Sequence, residues 1–133
     1  AKIGFPEISI GTCVGGGVTQ FLPRLVGLAK ARELIFLGNK IDGKEAAAIG
    51  MVTRAVPDDT LASAASEFIA ELSTKAPISM KLAKKMLNNS SFNNLDAQLE
   101  HELDAVFMCT TTQDWQEGVD AFAQKRAPQF KGC

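Results

Sequence analysis

The sequence lacks an excess of either charge: fourteen Lys and Arg stand against fifteen Asp and Glu, for a net charge of -1 and a pI near 5.8. A chain so balanced has no electrostatic footprint for nucleic acid or for an anionic membrane surface, and neither partner is expected. Long apolar runs are missing too. Unbroken stretches such as Leu34 to Leu37 fall far short of the roughly 20 residues that span a bilayer, so the expectation is a soluble protein. Histidine occurs once, at His101, and cysteine three times, at Cys13, Cys109 and Cys133, widely spaced and with no Cys-x-x-Cys pair. That set argues against a disulfide framework or a metal site and fits a reduced, cytoplasmic setting. No basic region followed by an apolar run and a small-residue cleavage site opens the chain, so no secretory signal is read. Ala1 stands without an initiator Met and leads straight into an apolar segment, as expected of a chain that begins inside a larger fold.

What is present is the material for a packed interior. Of 133 residues, 46% are hydrophobic and 22% charged, which suits one folded domain and excludes a disordered tract. The two halves differ. Residues 1–57 carry seven basic against four acidic side chains and nine of the eleven glycines; residues 58–133 carry seven against eleven and keep only Gly118 and Gly132. Turns are therefore expected in the first region and helices in the second.

Ala1 to Phe5 reads as a short strand stopped by Pro6, and Ile8 and Ile10 alternate with Ser9 in a strand-like pattern. After the Gly15-Gly16-Gly17 run, Val18 to Leu22 suits a short helix ended before Pro23, since the residue preceding a proline avoids the α region. A second helix is expected over Leu25 to Phe36 with a stop at Gly38, a third over Lys44 to Ile49 closed by Gly50, and a strand over Met51 to Val56 closed by Pro57. Beyond Asp59 the 3.6-residue period is plain: Leu61, Ala65, Phe68, Ile69 and Leu72 share one face. Pro77 suits the first turn of the next helix, with Ile78, Leu82, Met86 and Leu87 on one side and Lys81, Lys84 and Lys85 on the solvated other. Asn94 is placed to cap a helix whose apolar positions are Leu95, Leu99, Leu103, Val106 and Phe107, with His101 facing solvent. Thr111 or Thr112 opens the last helix, in which Trp115, Val119 and Phe122 share a face and Trp115 reads as a packing anchor, before Pro128 ends it.

The most informative segment runs from Ile3 to Arg24: Ile3-Gly4-Phe5-Pro6-Glu7, Gly11, the triple glycine, Thr19-Gln20 and Leu22-Pro23-Arg24. With Ala29 to Gly38, Ile41-Asp42, Glu45-Ala46, Gly50-Met51-Val52, Glu117-Gly118 and Ala121-Phe122 to Lys125-Arg126, it resembles the crotonase superfamily, the enoyl-CoA hydratases and isomerases. The resemblance spans nearly the whole chain but covers only the C-terminal half of such an enzyme. It implies an α+β, mostly helical fold: a C-terminal piece of the crotonase ββα spiral core in residues 1–57, followed by helices over 58–133 that in relatives build a trimer interface. A homotrimer or dimer of trimers is the implied assembly. The first half of the family, which supplies one of two catalytic glutamates and the backbone amides of the oxyanion hole, has no match here.

The implied reaction is the addition of water to an enoyl-CoA thioester, or a shift of its double bond. It needs an acid at the α-carbon, a base for the water and donors for the enolate-like oxygen, but no metal or redox cofactor; coenzyme A enters only as part of the substrate. Glu7 matches the second family glutamate, the proton donor, for which an apolar setting from Ile3, Phe5 and Ile8 would favour the neutral acid. Read from the residues alone, it is first a surface carboxylate at a strand end, and it is the resemblance that favours the proton donor. Gly15, Gly16 and Gly17 are placed to admit a thioester or phosphate against free backbone N–H groups, or are simply a tight turn from strand to helix. Phe122 and Lys125 match the family residues that lie near the adenine and phosphates of coenzyme A, in a basic patch with Arg126 and Lys131. The bland reading is a core phenylalanine and a solvated basic helix end. Val14, Val18 and Phe21 depart from the usual family residues, which leaves hydratase, isomerase and hydrolase chemistry open. A rival from another class also stands: a non-enzymatic helical oligomerisation module that kept this half of the fold. As a lone fragment the chain is expected to be inactive.

Overall fold

A computed structural model describes residues 1–133, which form two compact units, Ala1–Ala64 and Ala65–Cys133. No helix is long and apolar enough to cross a membrane.

The first unit holds a two-stranded antiparallel ribbon of β1 (Lys2–Ile3) and β2 (Ile41–Asp42), in which Lys2 faces Asp42 and Ile3 faces Ile41. Around it pack α1 (Val18–Val26), α2 (Leu28–Leu37) and the short α3 (Gly43–Ala48). Their inward faces close a core of Leu22, Ala31, Leu34, Ile35, Ile41 and Ala46, with Ile3, Phe5, Val14, Val18 and Met51 against it. Asp42 ends β2 and starts α3 in one step, its carboxylate accepting the Glu45 N–H at 2.9 Å.

Several local expectations give way here to tertiary packing. The Ile8-Ser9-Ile10 alternation is not a strand: Pro6, with its preset φ, starts a 3₁₀ turn over Pro6–Ile10. α1 runs through Pro23 instead of ending before it, because Leu22 is buried and its packing outweighs the pre-proline preference. The helix expected from Leu25 is cut by Gly27, whose φ of 78° and ψ of 156° no side-chain-bearing residue adopts easily, and α2 starts only at Leu28. Met51 to Val56 forms no strand. The amides of Met51 and Val52 instead bond back to the Ala46 carbonyl, at 2.9 and 3.3 Å, closing α3. The true partner of β1 is the two-residue β2, too short to show a period.

The second unit is helical: most of α4 (Leu61–Ser73), then α5 (Pro77–Asn89), α6 (Leu95–Thr110) and α7 (Gln113–Ala123). α5 packs on α6 and α6 on α7. The caps fall where the sequence puts them: Asn94 accepts the Ala97 N–H at 2.9 Å and Thr112 the Trp115 N–H at 3.1 Å. The packed side of α6 is not its Leu stripe, however. Leu95, Leu99, Leu103, Val106 and Phe107 all face outward, and the buried residue is Ala105. A small side chain lets helix axes approach, whereas large ones at these positions would hold them apart. His101 is exposed as expected, with Nδ1 3.2 Å from the Asn93 amide nitrogen. Trp115 is not a buried anchor, since half of it remains accessible.

Candidate functional site

Glu7 sits in the first turn of the 3₁₀ segment, where Pro6 sets the backbone and the Glu7 carbonyl accepts the Thr12 N–H at 3.1 Å. The residue is half-buried, and one carboxylate oxygen, Oε2, is enclosed with no hydrogen-bond partner. It is the one side-chain atom of the chain in that condition. Leaving a polar atom buried and unpaired costs about 1 to 3 kcal/mol, more for a charged group. Such an atom is accounted for by local strain, by an ordered water or ion, or by a catalytic role. Of the expected apolar neighbours, Ile3 and Phe5 pack into the adjoining core, while Ile8 is exposed.

The triple glycine is the turn that opens α1. Gly16 and Gly17 take left-handed φ values of 64° and 83°. Gly17 is the N-cap, its carbonyl accepting the N–H groups of Gln20 and Phe21 at 2.9 and 3.0 Å, and no side chain caps this helix. A Cβ at Gly17 would lie 2.8 Å from the Phe21 ring, but at Gly15 or Gly16 it would meet nothing within 4 Å. Gly16 and Gly17 are thus required by their left-handed backbone, since the exposed Phe21 ring can move aside, and Gly15 and Gly16 leave an unobstructed backbone face. Cys13, beside them, is exposed and free.

In the second unit Phe122 and Lys125 stand at the end of α7. Phe122 is 88% exposed, so the core reading fails for it. Lys125 carries the chain's single positive φ outside glycine, 53°. Its N–H donates to the Phe122 carbonyl at 3.2 Å and that of Arg126 to the Ala121 carbonyl at 3.0 Å, the bond pair of a Schellman cap with lysine at the usual glycine position. Arg126 turns back to grip Glu117 with two bonds of 2.6 and 2.8 Å, and the Gln129 N–H adds a third to the same carboxylate at 2.7 Å. Those bonds, Arg126 foremost, hold the Glu117 carboxyl down to about 2 from its usual 4.5. Of the expected basic patch, Arg126 is therefore neutralised within the chain.

Asp114 escaped sequence reading. It is 4% exposed and accepts the N–H groups of Lys131 at 2.7 Å and Gly132 at 2.8 Å, one on each oxygen, while its own N–H donates to the Cys133 carbonyl at 3.2 Å. Its signal was a carboxylate in the first turn of a helix, but its partners lie 17 and 18 residues away. Asp114 and Glu117 together strap residues 127–133 along α7. This tail brings Phe130 onto Gly118 and over a cavity of about 350 Å³ that Ser79, Cys109, Trp115, Val119 and Phe122 also line. Glu7 and the glycine turn thus belong to the first unit, Phe122 and Lys125 to the second.

Comparison with known proteins agrees across the length of the chain. The family model for enoyl-CoA hydratase/isomerase matches residues 1–133. The 1,2-epoxyphenylacetyl-CoA isomerase of Escherichia coli (strain K12) is 39% identical over 116 residues, 87% of this chain and 44% of that protein. The crotonyl-CoA hydratase of Syntrophomonas wolfei is 35% identical over 130 residues, 98% of this chain and 50% of that one. Among solved structures, an enoyl-CoA hydratase from Bacillus anthracis superposes with a TM-score of 0.94 at 36% identity, covering all of this chain and 52% of its own. The chain thus spans about half the length of the relatives it matches. By these matches, and by a mostly helical α+β fold shared with the C-terminal part of those enzymes, the chain belongs to the enoyl-CoA hydratase/isomerase family.

Proposed function

We propose that this chain is the acid-supplying half of an enzyme that adds water to enoyl-CoA thioesters or shifts their double bond, with Glu7 delivering the proton to the α-carbon. The observation that carries the reading is the enclosed, unpartnered Oε2 of Glu7, a carboxyl atom without a structural use. The unobstructed backbone at Gly15 and Gly16 suits close approach of the thioester. The exposed Phe122 ring and the unpaired Lys125 ammonium suit the adenine and phosphates of coenzyme A. The base for water and the oxyanion donors belong to the half of the family fold that these residues do not match. The working assembly is a cytoplasmic homotrimer or dimer of trimers, with coenzyme A as part of the substrate and no other cofactor.

Removal of an oxyanion donor alone slows such chemistry about a hundred- to a thousandfold, so the 133-residue chain by itself is expected to hydrate crotonyl-CoA undetectably or very slowly. An absorbance assay of the enoyl thioester on protein of verified mass tests this. Fast turnover that disappears in Glu7→Gln would keep the acid and overturn the division of labour; fast turnover that survives it would remove Glu7 from the chemistry. A second reading, a non-catalytic oligomerisation module, draws on the outward Leu, Val and Phe stripe of α6. A sedimenting trimer that ignores acyl-CoA in titration supports that module instead.

A further inference from the structure

From the bonds that converge on the end of α7, we infer that Glu117 is a positioning residue: through Arg126 it locks Lys125 in its left-handed turn and so fixes the direction in which the Lys125 side chain leaves the helix end, three residues after Phe122. The inference rests on the reading that these two side chains meet the nucleotide end of acyl-CoA.

Lys125 occupies a conformation that glycine takes freely and a lysine resists, since its Cβ crowds the neighbouring carbonyl. A left-handed lysine persists where its surroundings over-determine it. Here the surroundings are the two cap bonds to the Phe122 and Ala121 carbonyls and, around them, one guanidinium. Arg126 Nε donates to the Gln124 side chain at 2.8 Å, and Nη1 donates to the Ala127 carbonyl at 3.2 Å, so the residues on both sides of Lys125 are tied to the same planar group. Glu117 orients that group with its two bonds of 2.6 and 2.8 Å and fixes the segment that follows through the Gln129 N–H. A bidentate fork sets direction as well as distance, which a single ammonium contact cannot do. The cation that meets Glu117 is thus spent on geometry, and Lys125 makes no ion pair of its own.

Two measurements on the 133-residue chain separate the backbone claim from the ligand claim. Amide exchange and the Cα chemical shift report the turn, and calorimetric titration with coenzyme A reports the ligand. Glu117→Gln, and independently Arg126→Lys, should speed exchange at Arg126 and Gln129, move the Lys125 Cα shift out of the left-handed range, and weaken coenzyme A about twofold to fivefold, the scale of one misplaced exposed charge contact. Glu117→Asp should restore part of that loss, and in a Lys125→Ala background Glu117→Gln should weaken binding no further. An unchanged Lys125 shift and exchange in both variants overturns the inference. So does a released turn with unchanged affinity, or an equal loss with and without the Lys125 ammonium. If Lys125→Ala binds coenzyme A as tightly as the unsubstituted chain, the ligand reading is what fails, and with it the purpose assigned to the turn.

Discussion

The two units hold together by different means. In residues 1–64 a ring of large apolar side chains meets in one place, with Leu34 only 2% exposed, and helices, ribbon and turns are arranged around it. In residues 65–133 the buried positions are two alanines, Ala105 and Ala121, and one carboxylate, Asp114, while Leu87, Leu95, Leu103 and Phe107 stand outside. The first unit is ordered by burial; the second is ordered by helix periodicity, caps and carboxylates that bind backbone. Apolar content therefore does not measure a core. What decides is whether the large side chains point at one another or at a surface that other parts of the fold must cover.

The sharpest way to break this comparison is to make a hole in each unit. Leu34→Ala should cost about 3 to 5 kcal/mol, transfer and cavity terms together, and thermal or urea unfolding followed by circular dichroism should show the loss. A cost near zero would mean that the first unit has no real core. Asp114→Ala should cost less, about 1 to 3 kcal/mol, by removing the two bonds its carboxylate accepts from the Lys131 and Gly132 N–H groups and so releasing the tail. Its mark should be local: faster tryptic cleavage after Arg126 and Lys131, with the helices intact. Leu103, 70% exposed, should be nearly silent by contrast. Leu103→Gln is expected to shift stability by less than about 0.5 kcal/mol in dilute solution, while reducing self-association measured by sedimentation. A large loss of monomer stability there would show the stripe to be packed inside the chain after all.

Helices beyond Asp59 were legible to within a few residues, because period and cap are short-range properties. Asn94 and Thr112 act on N–H groups three residues on, a distance the chain itself spans. In the first region the local rules were outvoted: α1 continues through Pro23 because Leu22 has a core to enter, and β2 exists because Ile3 needs a partner. The face of α6 that packs was unreadable, since a Leu-rich stripe and an alanine stripe are both candidates until a neighbouring helix is placed. The candidate site divides the same way. Glu7, the glycine turn, Phe122 and Lys125 were reached through resemblance and motif order. The unpaired state of Glu7 Oε2 and the grip of Glu117 and Asp114 on the tail are facts about neighbours distant in sequence.

By itself the sequence determined which segments beyond Asp59 coil, the caps at Asn94 and Thr112, the balance of charge that leaves no footprint for nucleic acid, and the family to which these ordered blocks belong. Tertiary structure alone decided which apolar faces meet, which carboxylate is enclosed without a partner, and why a lysine stands in a left-handed turn. The reason is range. Backbone preferences act over three or four residues, whereas burial and the pairing of Glu117 with Arg126 or Asp114 with Gly132 depend on chain segments that only folding brings within 3 Å.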